Sequence, residues 1–173
     1  MTHVIKTGEQ VIYGQNDLTD RELSNLEAGR IFNVLHHRTL THADVGASKT
    51  LWEVELLVVR EQLHAMLSLE QASGSEAGDT LSIYIDASLD NGANWYNVVR
   101  FTTITGTMSA PRNYMAVTRT EPSAAGSYEE VSDDLAAAAA PRHFIGNRFR
   151  IRATTVDADG DAAWTVSLSI LVH

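Results

Sequence analysis

Apolar and polar residues alternate with a period of two along much of this chain, and that pattern most limits the folds open to it. In "TLSIYIDAS" Leu81, Ile83 and Ile85 share one face. In "NRFRIRATT" Phe149, Ile151 and Ala153 oppose Arg148, Arg150 and Arg152. "WTVSLSILVH" sets Val166, Leu168, Ile170 and Val172 against Thr165, Ser167 and Ser169, and "WYNVVRFTT" puts Trp95, Asn97, Val99 and Phe101 on one face. Successive side chains of a strand point to opposite faces, so each run describes a strand with one wet side. "TLWEVELLVV" and "QLHAMLSLE" also fit a helix over 51–72, but Gly74 and Gly78 follow and another strand comes next, so two strands are expected. Leu63, Ala65, Leu67 and Leu69 would then face inward. Several short alternating strands separated by Gly, Asn and Asp, with no βαβ rhythm, predict an all-β antiparallel sandwich.

Two regions break the pattern. Residues 1–45 are polar and lack a sustained period; they are expected to form an extended N-terminal arm, with residues 46–173 as the sandwich domain. Within the arm, "LTDRELSNLEAG" carries helix signals: Thr19 as N-cap, Glu22 three residues on, Gly29 as stop. Residues 106–147 hold all three prolines and read as a long irregular excursion between strands. "YMAVTRT" within it has strand character, and "SDDLAAAAAP" has helix character, capped by Ser132 and stopped before Pro141.

Composition removes several functions. There are 173 residues, 44% of them hydrophobic, enough for one packed domain with an arm. The absence of cysteine excludes disulfides, thiolate nucleophiles and cysteine-ligated zinc. No apolar run of about eighteen residues exists, so no helical membrane span is expected, and "MTHVIKTGEQ" does not read as a secretory signal. A net charge of -9 argues against non-specific nucleic-acid binding, which needs clustered cations facing phosphates. Eleven Arg against two Lys suits bidentate, partly buried ion pairs at an interface, or reflects a GC-rich genome.

Between the strands "LSIYIDAS" and "WYNVVRF" lies "SLDNGANW", with Ser88, Asp90, Gly92 and Trp95 in the order S-x-D-x-G-x-x-W. Asp90 and Asn91 can accept bonds from nearby backbone N–H groups, and Gly92 can take a positive φ. Trp95, an aromatic burying about 150–250 Å², can close the turn from water. The spacing resembles the Asp-box of sialidases and other propellers, where it implies a structural hairpin away from the catalytic pocket. "VDADGDAAW" is a relaxed cousin with shifted spacing. At about forty to fifty residues per blade, 173 residues leave no room for a complete propeller. Sialidase activity is therefore set aside, and the motif is read as a hairpin lock.

Residues 63–106, "LHAMLSLEQASGSEAGDTLSIYIDASLDNGANWYNVVRFTTITG", resemble a stretch of tailed-bacteriophage virion proteins in which a strand, a small-residue turn, an "L-x-V-x-I-x-x-S" strand, a D-G-G-type hairpin and "W-x-x-V-x-x-F" follow in order. "NRFRIRATTVDADGDAAWTVSLSILV" resembles their closing strands. The resemblance covers about residues 50–106 and 147–172; the arm and the long excursion depart from it. It implies a jelly-roll-like sandwich and a structural role: a capsid decoration (cement) protein, homotrimeric at local three-fold points and bound to the major capsid protein, or a tail or baseplate component. It implies no enzyme, cofactor or metal.

Other constellations are weaker. Arg148, Arg150 and Arg152 lie on one strand face at a repeat of about 6.6–7 Å, either as a capsid-contact row or as cross-strand partners of acids in the same domain. "DADGD", Asp157 to Asp161, lacks the EF-hand's glycine at the sixth place and glutamate at the twelfth, and reads as a solvated acidic turn. His36 and His37 are adjacent, so a strand would send them to opposite faces and keep them from sharing a zinc with His42. No G-x-S-x-G elbow supports a Ser–His–Asp triad, and Glu129, Glu130, Asp133 and Asp134 read as a solvated stretch. A carbohydrate-binding module would need exposed aromatics in a row, and Trp52, Trp95 and Trp164 are dispersed in sequence.

Overall fold

The computed structural model describes residues 4–5, 10–13, 32–60, 62–74, 76–106, 108, 110–119 and 146–172. The expected helices at 19–29 and 132–141, and Glu129, Glu130, Asp133 and Asp134, lie outside the described residues. The strands are β1 (Val4–Ile5), β2 (Gln10–Tyr13), β3 (Phe32–Thr41), β4 (Lys49–Arg60), β5 (Gln62–Ser73), β6 (Thr80–Ser88), β7 (Tyr96–Arg100), β8 (Ile104–Thr105), β9 (Arg112–Arg119), β10 (Gly146–Val156) and β11 (Ala163–Val172). One short helix, α1 (His42–Val45), joins β3 to β4. Thr41 caps it, accepting the Asp44 N–H at 3.2 Å, and Gly46 ends it at φ 59°.

One sheet runs β1-β2-β4-β10-β6-β7, with β8 also on β6; the other runs β3-β11-β5-β9. All pairings are antiparallel. With β1, β2 and β8 set aside, eight strands remain, and their pairing follows one rule: first with last (β3·β11), second with seventh (β4·β10), third with sixth (β5·β9), fourth with fifth (β6·β7). That is a single long hairpin ribbon. Rolling it on itself adds β11·β5 and β10·β6 and splits it into two facing sheets. The product is a jelly-roll β-sandwich.

Register places the connections. Ala163 sits beside Thr41 and Ser73, and Val156 beside Thr80, so α1 and the turns 74–79 and 157–162 share one end. Arg148 sits beside Ser88, Gly146 beside Arg60 and Val172 beside Leu63, so the turn 88–95 lies at the other end.

The core lies between the sheets. Leu63, Ala65, Leu67 and Leu69 of β5 are buried, as are Phe149, Ile151 and Ala153 of β10 and Val166, Leu168 and Ile170 of β11. Trp52 and Trp164 are among the largest fully buried side chains. Each buried Leu, Ile or Val contributes about 1.5–3 kcal/mol against exposure. On the outer side of the four-stranded sheet Met66, Met115 and Val117 are exposed, with Met66 directly opposite Met115.

The structure departs from the sequence reading in two places. Residues 32–45, assigned to the arm from the sequence, belong to the sandwich: β3 is an edge strand of the four-stranded sheet, with Val34, Leu35 and Leu40 in the core, and β2 pairs with β4 in the other sheet. A bulge hides the period there. Leu35 pairs with Leu168 and Arg38 with Val166, so His36 and His37 together face Ser167, and His37 takes φ 44°. Within the excursion 106–147, β9 lies where "YMAVTRT" has strand character. Asn97 and Val99 do not share a face: Ile85 pairs with Val99 but Asp86 with Asn97, so Val98 is the extra residue of a second bulge.

Candidate functional site

The second bulge turns Asn97 outward, and this builds the most organised polar surface among the described residues. Cross-strand register sets Arg150, Asp86 and Asn97 in one row over β10, β6 and β7, and Arg152, Tyr84 and Arg100 in the next. Direct antiparallel partners project from the same face, so the register brings these side chains together. Asp86 is fully buried beneath them. Its Oδ2 accepts from Arg150 Nε at 2.8 Å and Arg152 Nε at 2.9 Å, and its Oδ1 accepts from Asn97 Nδ2 at 2.6 Å. The guanidiniums also stack: Arg150 lies 4.4 Å from the Trp95 ring centre, and Arg152 lies 4.0 Å from that of Tyr84. Such contacts contribute about 0.5–2 kcal/mol each. Of the two readings left open for the arginine row, the structure shows the pairing with acids of the same domain. Internal acids engage all three residues, while Arg150 and Arg152 still line an open cavity of about 400 Å³ with Ser48, Asn94, Trp95 and Asn97.

Arg148 ties this face to the hairpin. Its Nε lies 2.7 Å from Glu53 Oε1, an ion pair rather than an aligned hydrogen bond, and its Nη1 donates to the Asn91 carbonyl. In the hairpin itself Ser88 Oγ donates to Asp90 Oδ1 at 2.8 Å and accepts the Gly92 N–H at 2.9 Å. Asp90 accepts the Asn94 backbone N–H at 2.8 Å and its side-chain amide at 2.6 Å. Those Asn94 donors, followed by the Ser88 hydroxyl, hold the Asp90 carboxyl down at about 2. Asn91 and Gly92 both take positive φ, 59° and 86°. A Cβ on Gly92 would come within 3.0 Å of Arg148 Nη1 and 3.2 Å of Trp95 Cζ2, so the indole and the arginine close over the turn. The structure brings Asp90, Gly92, Trp95, Arg148, Arg150 and Arg152 into one continuous surface, with Ser88 buried beneath the turn.

The opposite end holds a second group. Carboxylate oxygens of Asp79, Asp157, Asp159 and Asp161 lie within 4.8 Å of one another. Asp157 is not the solvated residue expected: it is buried, and its two oxygens accept Gly160 N at 2.7 Å and Ala162 N at 3.1 Å. Burial opposes its ionisation, but the Gly160 and Ala162 N–H groups outweigh it, and its carboxyl is lowered. Asp159 is raised, first by its hydrogen bond to Asp157 and then by burial and the charge of Asp161. Oxygen donors of this kind suit a hard cation such as calcium. Asp79 comes from the 74–79 turn, and only the end-to-end alignment of the sheets brings it here; nothing local in the sequence signals it.

The histidines do not converge. His37 Nδ1 contacts Glu70, which is lowered chiefly by the Ser167 hydroxyl, and His42 Nδ1 bonds Thr155 Oγ1 at 2.9 Å. Trp52 and Trp164 are buried and only Trp95 reaches the surface, so the three indoles form no row of exposed aromatics.

No protein-family model matches the chain, and no curated protein matches it. Solved structures do. A chain of the infectious bursal disease virus VP2 subviral particle is 12% identical with a TM-score of 0.44, covering 82% of this chain and 31% of that one. A chain of the infectious bursal virus derived T=1 particles is 13% identical with a TM-score of 0.45, covering 83% and 31%. The chain therefore spans about a third of the length of the solved chains it matches. The likeness is distant, and the jelly-roll assignment rests on strand pairing.

Proposed function

We propose that this chain is a virion structural protein: a decoration (cement) protein that binds the outside of a tailed-phage head, contacts the major capsid protein and stabilises the shell without catalysis. The observation that carries the reading is the first-with-last strand pairing. It makes the chain a jelly roll, an architecture shared by viral capsid domains, lectins and cupins. The likeness of residues 63–106 and 147–172 to phage virion proteins selects among these. The outer face bearing Arg148, Arg150 and Arg152 is the candidate contact surface, since arginines on a rigid sheet suit acidic surface on a shell. The net charge of -9 supports a protein partner over nucleic acid. Three copies around a local three-fold would multiply the contact area.

Purified chain is mixed with undecorated heads, and bound protein and burst resistance are measured. Saturable binding with stiffer heads supports the reading, and heads that gain neither overturn it. A tail or baseplate role is separated by imaging particles: rings at the tail in place of copies on the head identify it.

A further inference from the structure

We infer that the cavity beside Trp95 is a binding site for a carboxylated sugar. Arg150 and Arg152 stand two residues apart on β10, and each gives its Nε to the same buried oxygen of Asp86. Among the described residues Asp86 is the hydrogen-bonding partner of both. A guanidinium carries five donors, and among the described residues neither arginine gives a terminal amino group to a hydrogen bond. Trp95 and Tyr84 hold the two planes from one side. Two guanidiniums share one carboxylate, which leaves a local positive surplus on a chain of net charge -9. Donors fixed in advance by a buried acid and two rings form an oxyanion receptor with little ordering cost left to meet on binding.

The size and lining of the cavity define the rest of the ligand. Its volume of about 400 Å³ falls within the range of ligand pockets, about 300–1,000 Å³. A carboxylate displaces roughly one or two waters, about 30–60 Å³, so the ligand has a body beyond its charge. The other lining groups are largely polar. Ser48 is exposed with its hydroxyl, and Asn94 commits its amide N–H to Asp90, leaving its carbonyl oxygen as an acceptor. Such a lining fits hydroxyls. An acidic peptide side chain would present methylenes here, and inorganic phosphate would leave most of the space to water. The inference does not rest on the decoration reading, although shell and sugar would compete for this face.

Titration calorimetry on the purified chain tests it with glucuronate, glucose, acetate, inorganic phosphate and a tetraglutamate peptide. Glucuronate is expected to bind at least about tenfold more tightly than the other four. Arg152→Met is expected to lose about tenfold or more in affinity. Ser48→Glu, on an exposed turn, places a competing carboxylate at the cavity and is expected to abolish binding with an unchanged circular dichroism spectrum, which covers the case in which Arg152→Met does not fold. Equal binding of acetate or phosphate, preference for the peptide, or no heat with glucuronate overturns the inference. So does undiminished glucuronate binding by folded Ser48→Glu.

Discussion

Replacing Asp86 by Ala is the sharpest perturbation of the outer face. Three hydrogen bonds end on this carboxylate, two of them from arginines. Bonds to charged groups contribute about 1.5–3 kcal/mol each and the amide bond about 1, a gross value of about 4–7 kcal/mol. Desolvating the fully buried carboxylate offsets several kcal/mol of that. Removing one partner of a buried pair costs about 3–5 kcal/mol when the other stays buried. Here the arginine side chains are 23% and 16% exposed and can turn toward water, which lowers the cost to about 2–4 kcal/mol. For a chain of this length that is a fall in Tm of about 5–15 °C. Urea unfolding should show a lower midpoint with an unchanged m-value. Asp86→Asn, which keeps an acceptor and loses the charge, should cost less. In a cycle with Arg152→Met the two losses should fall short of additivity by about 1–3 kcal/mol. A loss for Asp86→Ala within about 0.5 kcal/mol, the level of an ordinary surface site, would refute the role assigned to this residue.

Three further outcomes can be checked. Trp164→Ala should destabilise by about 3–5 kcal/mol in the same denaturation assay, because its fully buried ring leaves a cavity between Leu40 and Ala72 on the neighbouring strands. Gly74→Ala should cost about 1–3 kcal/mol or more, since Gly74 sits at φ 65° and an added Cβ would meet the Asp161 carbonyl oxygen at 2.2 Å; a neutral result would mean the 74–79 and 157–162 turns do not touch. Asp90, with its carboxyl lowered from 3.8 to about 2, stabilises the hairpin fully above about pH 4, and this contribution is lost as pH falls toward 2. The protection factors of the Gly92 and Asn94 amides, taken against the intrinsic exchange rate at each pH, should therefore fall over that interval, and Asp90→Ala should abolish this pH-dependent loss of protection.

Strand identity was legible wherever alternation was unbroken. Leu63 to Leu69, Phe149 to Ala153 and Val166 to Ile170 are inward as their spacing predicts. The hairpin was legible because its bonds are local: Ser88, Asp90, Gly92 and Asn94 span seven positions. Bulges defeated the same reasoning at His36–His37 and at Val98, since one inserted residue reverses the facing of everything beyond it. The partners of the arginine row were invisible for a different reason. Asp86 reaches Arg150 only through the β6·β10 register, sixty-four positions away in sequence, and nothing in either strand states that register. Asp79 meets Asp157 by the same long-range alignment.

The proposal that the arginine-bearing face meets the partner is tested most directly by hydroxyl-radical footprinting of the chain bound to undecorated heads, against the chain alone. Protection is expected at Trp95, Arg148, Arg150 and Arg152, with Met66 and Met115 on the far sheet as reactive as before. Protection of Met66 and Met115, with Trp95 unchanged, would contradict it.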